Sequence, residues 1–273
     1  MLKSRISTAS IAVFLSLSTS GARGSDFDIA SPFAPGSTWI VTLGGFGGAE
    51  SSFPGADALA FSFRPIVDIY RAGDRTWLTL PTDAFSFTLY STGDFRFGAA
   101  EDYILNRSQH GDSALHGLPN INYTWETGAF AEYYPVPFLR TRIELLQGVS
   151  GADGAAANLM ADYIMLPDPA FLFTVGPRVY LVNTQYQSAF FSISRADSGP
   201  SGLPAYHASG GLNSAGIDAT VRYTLNEQLS FRAFFEWDRL VDDAAESPIV
   251  KLRGSVDQYQ LGLGAAYRFT FSW

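Results

Sequence analysis

The chain has 273 residues, of which 47% are hydrophobic, 15% aromatic and only 16% charged, with a formal net charge of −8. About 25% charged is ordinary for a soluble domain, so this composition is poor in charge and rich in rings, and its acidic balance argues against nucleic acid as a partner. The absence of cysteine excludes the small, disulfide-stapled secreted class.

The first residues address the compartment. Lys3 and Arg5 precede an apolar stretch from Ile6 to Leu17, and small residues follow at Ala22 and Gly24. This is the pattern of a secretory signal peptide over residues 1–24, leaving 25–273 as the mature chain. Beyond it no apolar run approaches the roughly 20 residues of a membrane-spanning helix. A chain of this kind that enters a membrane must do so as a closed barrel, which satisfies its own backbone in lipid.

Alternation with a period of two starts at "TWIVTLGGF". Its "LGGFGG" misses the dinucleotide-binding spacing and predicts a bend in a first strand. In "ALAFSFRPIVDIY", Leu59, Phe61, Phe63, Val67 and Ile69 alternate with Ser62, Arg64 and Asp68. "RTWLTL" and "FSFTLYSTGDFRF" are the next candidates, followed by a long irregular stretch at 98–122. "YTWETGAFAEY", "FLRTRIELLQ", "AANLMADYIM" and "FLFTVGPRVYLV" continue the pattern, with a tight turn predicted at 182–186 before "YQSAFFSIS". "AGIDATVRYTL" sets Ile217, Val221 and Tyr223 against Asp218 and Arg222, and "EQLSFRAFFEW" sets Phe231, Phe235 and Trp237 against Arg232 and Glu236. The chain closes on a strand in which Tyr259, Leu261, Leu263, Tyr267, Phe269, Phe271 and Trp273 share one face and Arg268 lies on the other. The whole predicts an all-β fold, an antiparallel transmembrane β-barrel of about 12 strands, with 10 to 14 allowed by boundary error.

A soluble barrel would show the same period with its faces exchanged. Strand number, strand length and rings gathered at strand ends favour the membrane form. Short turns such as 225–229 alternate with long loops at 194–215 and 238–257. In outer-membrane barrels the short side is periplasmic. The 98–122 stretch breaks this parity: either a strand is miscounted there, or the segment enters the lumen or makes a periplasmic contact.

With the greasy face toward lipid, Arg64, Asp68, Arg178, Asp218, Arg222, Arg232, Glu236 and Arg268 point into the lumen, together with Glu126, Glu132, Arg140, Arg142, Glu144 and Asp162. Such a set either closes the barrel by cross-lumen pairing or lines a narrow aqueous path. Asp68, Asp218 and Glu236 are the nearest expected partners for the arginines. Tyr267, Phe269, Phe271 and Trp273 are expected to serve as interfacial girdle and assembly signal. Asp238, Asp242, Asp243 and Glu246 form an expected extracellular acidic loop; a hard cation such as Ca²⁺ favours carboxylates, but the spacing is not that of an EF-hand. His110, His116 and His207 lack the spacing of a metal site, and there is no G-x-S-x-G. No cofactor and no catalytic residues are expected.

"DRLVDDAAESPIV" followed by "QYQLGLGAAYRF" resembles the C-terminal signature of the MipA/OmpV family, and "ALHGLPNINYTWETGAFAEYY" is similar to it as well. The resemblance implies an outer-membrane barrel embedded in outer-membrane lipid. For its best-studied member it implies a non-enzymatic scaffold joining a lytic transglycosylase to a murein synthase. A small-solute channel is the alternative, because fold transfers more safely than function.

Overall fold

In the computed structural model the described residues are 36–73 and 76–272. The expected signal peptide and Trp273 lie outside them. Eleven strands form one closed barrel. They are β1 (Thr38–Ser51), β2 (Leu59–Arg71), β3 (Phe85–Thr92), β4 (Phe95–Ile104), β5 (Thr124–Val136), β6 (Leu139–Ser150), β7 (Gly154–Asp168), β8 (Phe171–Val182), β9 (Gly211–Thr224), β10 (Leu229–Leu240) and β11 (Asp257–Ser272). Neighbours in sequence are neighbours in the wall, and β11 returns to pair antiparallel with β1 from Thr38↔Ser272 to Glu50↔Gln260. No described helix is long and apolar enough to cross a membrane.

Strand directions alternate around a ring, so an odd number must mismatch once. The mismatch falls at β2 and β3, which run parallel over Asp68↔Ser86 and Ile69↔Phe87. Its cause is the chain between them. Of "RTWLTL", expected as a wall strand, the described residues 76–80 instead run inside the barrel, with Trp77, Leu78, Thr79 and Leu80 all buried. The chain leaves β2 at the short-turn end, turns over Leu80–Asp83, and starts β3 beside Asp68 in the last third of β2. A second expected strand, "YQSAFFSIS", is helical instead, in α1 (Thr184–Phe191). "FSFTLYSTGDFRF" divides into β3 and β4 around Gly93. Two candidates leave the wall and one divides, which takes twelve strands to eleven.

The outer face carries the apolar residues. Phe61 is 79% exposed and Leu263 71%, both on the face turned away from the lumen, so the wall meets hydrocarbon rather than water. Rings pair around the short-turn end: Phe138 with Tyr163 at 5.8 Å, Phe171 with Tyr223 at 5.0 Å and Tyr267 with Phe269 at 4.7 Å between centroids. In β1, Gly45 leaves room for the Phe63 ring, since a Cβ there would lie 2.6 Å from it. A neighbouring aromatic thereby covers backbone that a glycine would otherwise expose.

The opposite end is closed by loops. Residues 52–58, 105–123, 183–210 and 241–256 fold over it with α1, α2 (Arg195–Ser201), α3 (Asp242–Glu246) and α4 (Pro248–Arg253). The 182–186 segment is accordingly no tight turn: Asn183 caps α1, its Oδ1 accepting from the Tyr186 N–H at 3.0 Å. Phe190, Phe191, Ala244 and Val250 share one buried cluster, and Phe53, Leu115, Leu118, Leu203 and Ile249 share another. The second ties residues 105–123 to the other long loops, which resolves the parity problem at 98–122. The miscounted strand lay upstream; residues 98–104 complete β4, and 105–122 belong to the long-loop end.

Candidate functional site: the barrel lumen

The lumen is built in three levels. The middle level is a continuous ion network contributed by β2, β4, β5, β6, β7, β8, β9 and β10, with Asp83 from the segment between β2 and β3. Arg96 lies 3.0 Å from Asp68 and 3.1 Å from Glu132. Glu132 also receives Arg140 at 2.9 Å and Arg142 at 3.2 Å. Arg140 continues to Asp83 at 2.7 Å and Asp162 at 2.8 Å, while Arg142 reaches Glu144 at 2.7 Å. From Asp162 the chain passes to Arg178 at 2.8 Å, and from there to Asp218 at 3.2 Å and Glu236 at 3.8 Å. Asp68, Arg96, Glu132, Arg140, Asp162 and Asp218 have no solvent contact.

The inner segment 76–84 is bound into this network. An extended chain with no strand neighbours leaves its backbone groups unpaired, which is costly away from water. Here lumen side chains satisfy them. Tyr134 Oη accepts from the Leu78 N–H at 3.3 Å, Arg96 donates to the Leu78 carbonyl at 3.3 Å, and Arg232 donates to the Thr79 carbonyl at 2.7 Å. Glu144 accepts from the Ala84 N–H at 3.0 Å, and the Thr79 hydroxyl donates to Asp68 at 2.5 Å. Around the segment, Tyr70, Trp77, Leu78, Leu80, Tyr134, Ile164 and Leu172 pack as one apolar cluster. Arg96 lies over Trp77 and Arg142 over Phe130, at 5.1 and 4.1 Å from the ring centroids. Charge and apolar packing together fill the section of the barrel.

Above the network, toward the long loops, is a cavity of about 250 Å³ lined by Glu50, Asp102, Glu126, Glu236 and Asp238 against Arg64 and Arg178. Arg64 is 3.3 Å from Glu50 and 3.6 Å from Asp102. Glu126 is buried with one carboxylate oxygen unpaired. In the loops above, Arg107 is buried and donates to the carbonyls of Phe190 and Pro119. Burial pushes its guanidinium down to about 10. Below the network, at the short-turn mouth, Arg222, Arg232 and Arg268 line a second cavity of about 200 Å³.

Of the expected partners, Asp218 and Glu236 do meet one expected arginine, Arg178, and the rest of the expected pairing is corrected here. Asp68 is taken by Arg96, and Asp218 and Glu236 lie with Arg178, so Arg222, Arg232 and Arg268 have no carboxylate partner among the described residues. The expected acidic loop is also divided. Asp238 belongs to β10 and lines the upper cavity. Asp242 and Asp243 start α3, Asp243 accepts from the Ser209 N–H at 2.7 Å, and Glu246 pairs with Lys251. Among the described residues no three metal-ligating side chains gather; His110, His116 and His207 are exposed in separate loop positions. Tyr267, Phe269 and Phe271 are exposed on the outer face of β11, where the Tyr267 hydroxyl donates to Gln228 at 2.8 Å.

Sequence periodicity missed Arg96 and Asp83. The alternation of Phe95 and Phe97 with Arg96 carried the signal for the first. Asp83 lies in a turn with no period, and nothing local marks it.

Comparison with known proteins supplies the family. The model described as MltA-interacting protein MipA matches residues 43–269, nearly all of the barrel. The chain belongs to the MipA family. No curated protein matches it in sequence. Among solved structures it is similar to the COG4313 outer membrane channel from Pseudomonas putida F1, at 10% identity and a TM-score of 0.42, covering 91% of this chain and 100% of that one. It is also similar to OprG from Pseudomonas aeruginosa, at 12% identity and a TM-score of 0.31 over 86% and 97%. Neisserial surface protein A matches at 10% identity and a TM-score of 0.26 over 85% and 97%. These overlaps are loose, and the barrel described above rests on its own geometry. The protein is an outer-membrane barrel.

Proposed function

We propose that this protein is a sealed, non-enzymatic barrel that serves as an outer-membrane scaffold for murein-remodelling enzymes. The observation that carries the proposal is the filled middle of the lumen. The buried ion network around Glu132 and the buried inner segment 76–84 lie between the two cavities, an arrangement better suited to presenting a surface than to passing solute. The family's description as an MltA-interacting protein supports a murein enzyme as partner. The partner surface belongs at the periplasmic short turns, where Phe138 and Leu225 are each 52% exposed, and not at 98–122.

Capture tests this. Tagged protein retrieved from solubilised envelopes is expected to bring a lytic transglycosylase and a murein synthase with it, and Phe138→Ser with Leu225→Ser is expected to weaken that capture. Failure to recover any murein enzyme, together with steady conductance, would favour the second candidate, a small-solute channel. That candidate is supported by the two cavities facing each other across the network, and it requires the network to open.

A further inference from the structure

Arg232 on β10 stands directly opposite Arg222 on β9 in the strand register. Arg268 lies on β11, the other neighbour of β10, and its backbone N–H donates to Gln228 in the β9–β10 turn at 2.8 Å. Like charges placed opposite each other in a sheet repel. Arg232 is only 6% exposed, and among the described residues its side chain bonds only to the Thr79 carbonyl. The side chains of Arg222 and Arg268 have no hydrogen bond or ion pair to any described residue. Nε of Arg222 and of Arg232 is buried without an acceptor. Three guanidinium groups thus share a cavity in which, among the described residues, the one carboxylate is that of Glu227, exposed in the turn.

We propose that Arg222, Arg232 and Arg268 form an anion site at the periplasmic mouth of the barrel and that its ligand is a phosphate group. The lining is rich in donors: besides the arginines it presents the hydroxyls of Thr42, Thr224 and Ser230. Guanidinium forks match the oxygens of a phosphate, and charge-assisted bonds of this kind are the strong ones. Three positive charges against one solvated carboxylate suit a dianion. At about 200 Å³ the cavity is smaller than the roughly 300 Å³ at which sites for drug-sized ligands begin. It therefore admits a phosphate with a short substituent and no larger body. Free phosphate, a small phosphate ester and the headgroup of a periplasmic-leaflet phospholipid share this chemistry. The site is independent of the scaffold proposal, because it makes no use of a protein partner.

The test is calorimetric titration of inorganic phosphate into the full-length protein in non-ionic micelles, at ionic strength held constant with chloride. Saturable binding is expected. Arg222→Gln and Arg268→Gln should each weaken it about tenfold or more, the usual effect of losing one charge-assisted hydrogen bond. Arg239→Gln, at the opposite end of β10, should leave it unchanged. Removing a like charge relieves repulsion, so the mouth variants should fold, and a heat-modifiable gel shift checks that they do. Glycerophosphoglycerol and phosphatidylglycerol form the second arm: competition by the lipid identifies a headgroup ligand, and phosphate binding unaffected by lipid identifies a free phosphate; both keep the site. Absence of saturable phosphate binding in the folded protein, or equal binding by both mouth variants, would overturn the proposal.

Discussion

Glu132 and Arg140 lie 2.9 Å apart and neither side chain meets solvent. Because Arg96 and Arg142 reach the same carboxylate, Glu132 is the point at which three guanidinium groups are held. Removing one partner of a buried ion pair leaves the other charged and uncompensated, which costs about 3–5 kcal/mol. Glu132→Gln is therefore expected to destabilise the barrel by about that amount, measured by urea unfolding in micelles. Arg239→Gln removes a pair whose arginine is 53% exposed and should cost less than about 1 kcal/mol.

The inner segment gives a second expectation, and the absence of native cysteine makes single cysteines clean reporters. Leu78→Cys, in the packed lumen, should react with a maleimide only after unfolding. Ready labelling of folded protein would show that the segment does not fill the lumen.

Orientation is tested in the same way on cells. Asn120→Cys in the 105–123 loop should be labelled by an impermeant maleimide on intact cells, and Asn226→Cys in the β9–β10 turn only after the outer membrane is permeabilised. The reverse pattern would invert the assignment of the two ends.

Closure of the barrel depends on the last strand. Phe271 pairs with Trp39 and Ser272 with Thr38, with the two hydroxyls 2.9 Å apart. Deleting residues 271–273 removes these pairs and the outward Phe271 ring, so outer-membrane assembly is expected to fall, as read from the fraction of heat-modifiable protein in outer-membrane preparations. Assembly equal to that of the intact chain would mean that these residues are not the assembly signal.

The wall was legible in the sequence because lipid on one side and charge on the other enforce a strict period of two over 12 or more residues, as in β9, β10 and β11. The same rule brought Arg64, Asp68, Arg178, Asp218 and Arg232 to the lumen as a set. It failed at "RTWLTL", because an extended segment inside a barrel shows the same short apolar pattern as a strand within its wall. It failed again at α1, where the Asn183 N-cap was the available signal but the apolar residues of "YQSAFFSIS" have the short pattern of a strand. Beyond Arg178 with Asp218 and Glu236, ion pairing was out of reach. Which carboxylate meets which arginine depends on register, closure and the inner segment, and Arg96 and Asp83 enter the network only through these.

The most direct test of the sealed lumen is single-channel recording of the purified protein in planar bilayers. The intact protein should show little or no steady conductance, whereas Glu132→Ser combined with Arg140→Ser, which opens the centre of the network, should raise it. Large, stable conductance steps from the unmodified protein would contradict the sealed barrel.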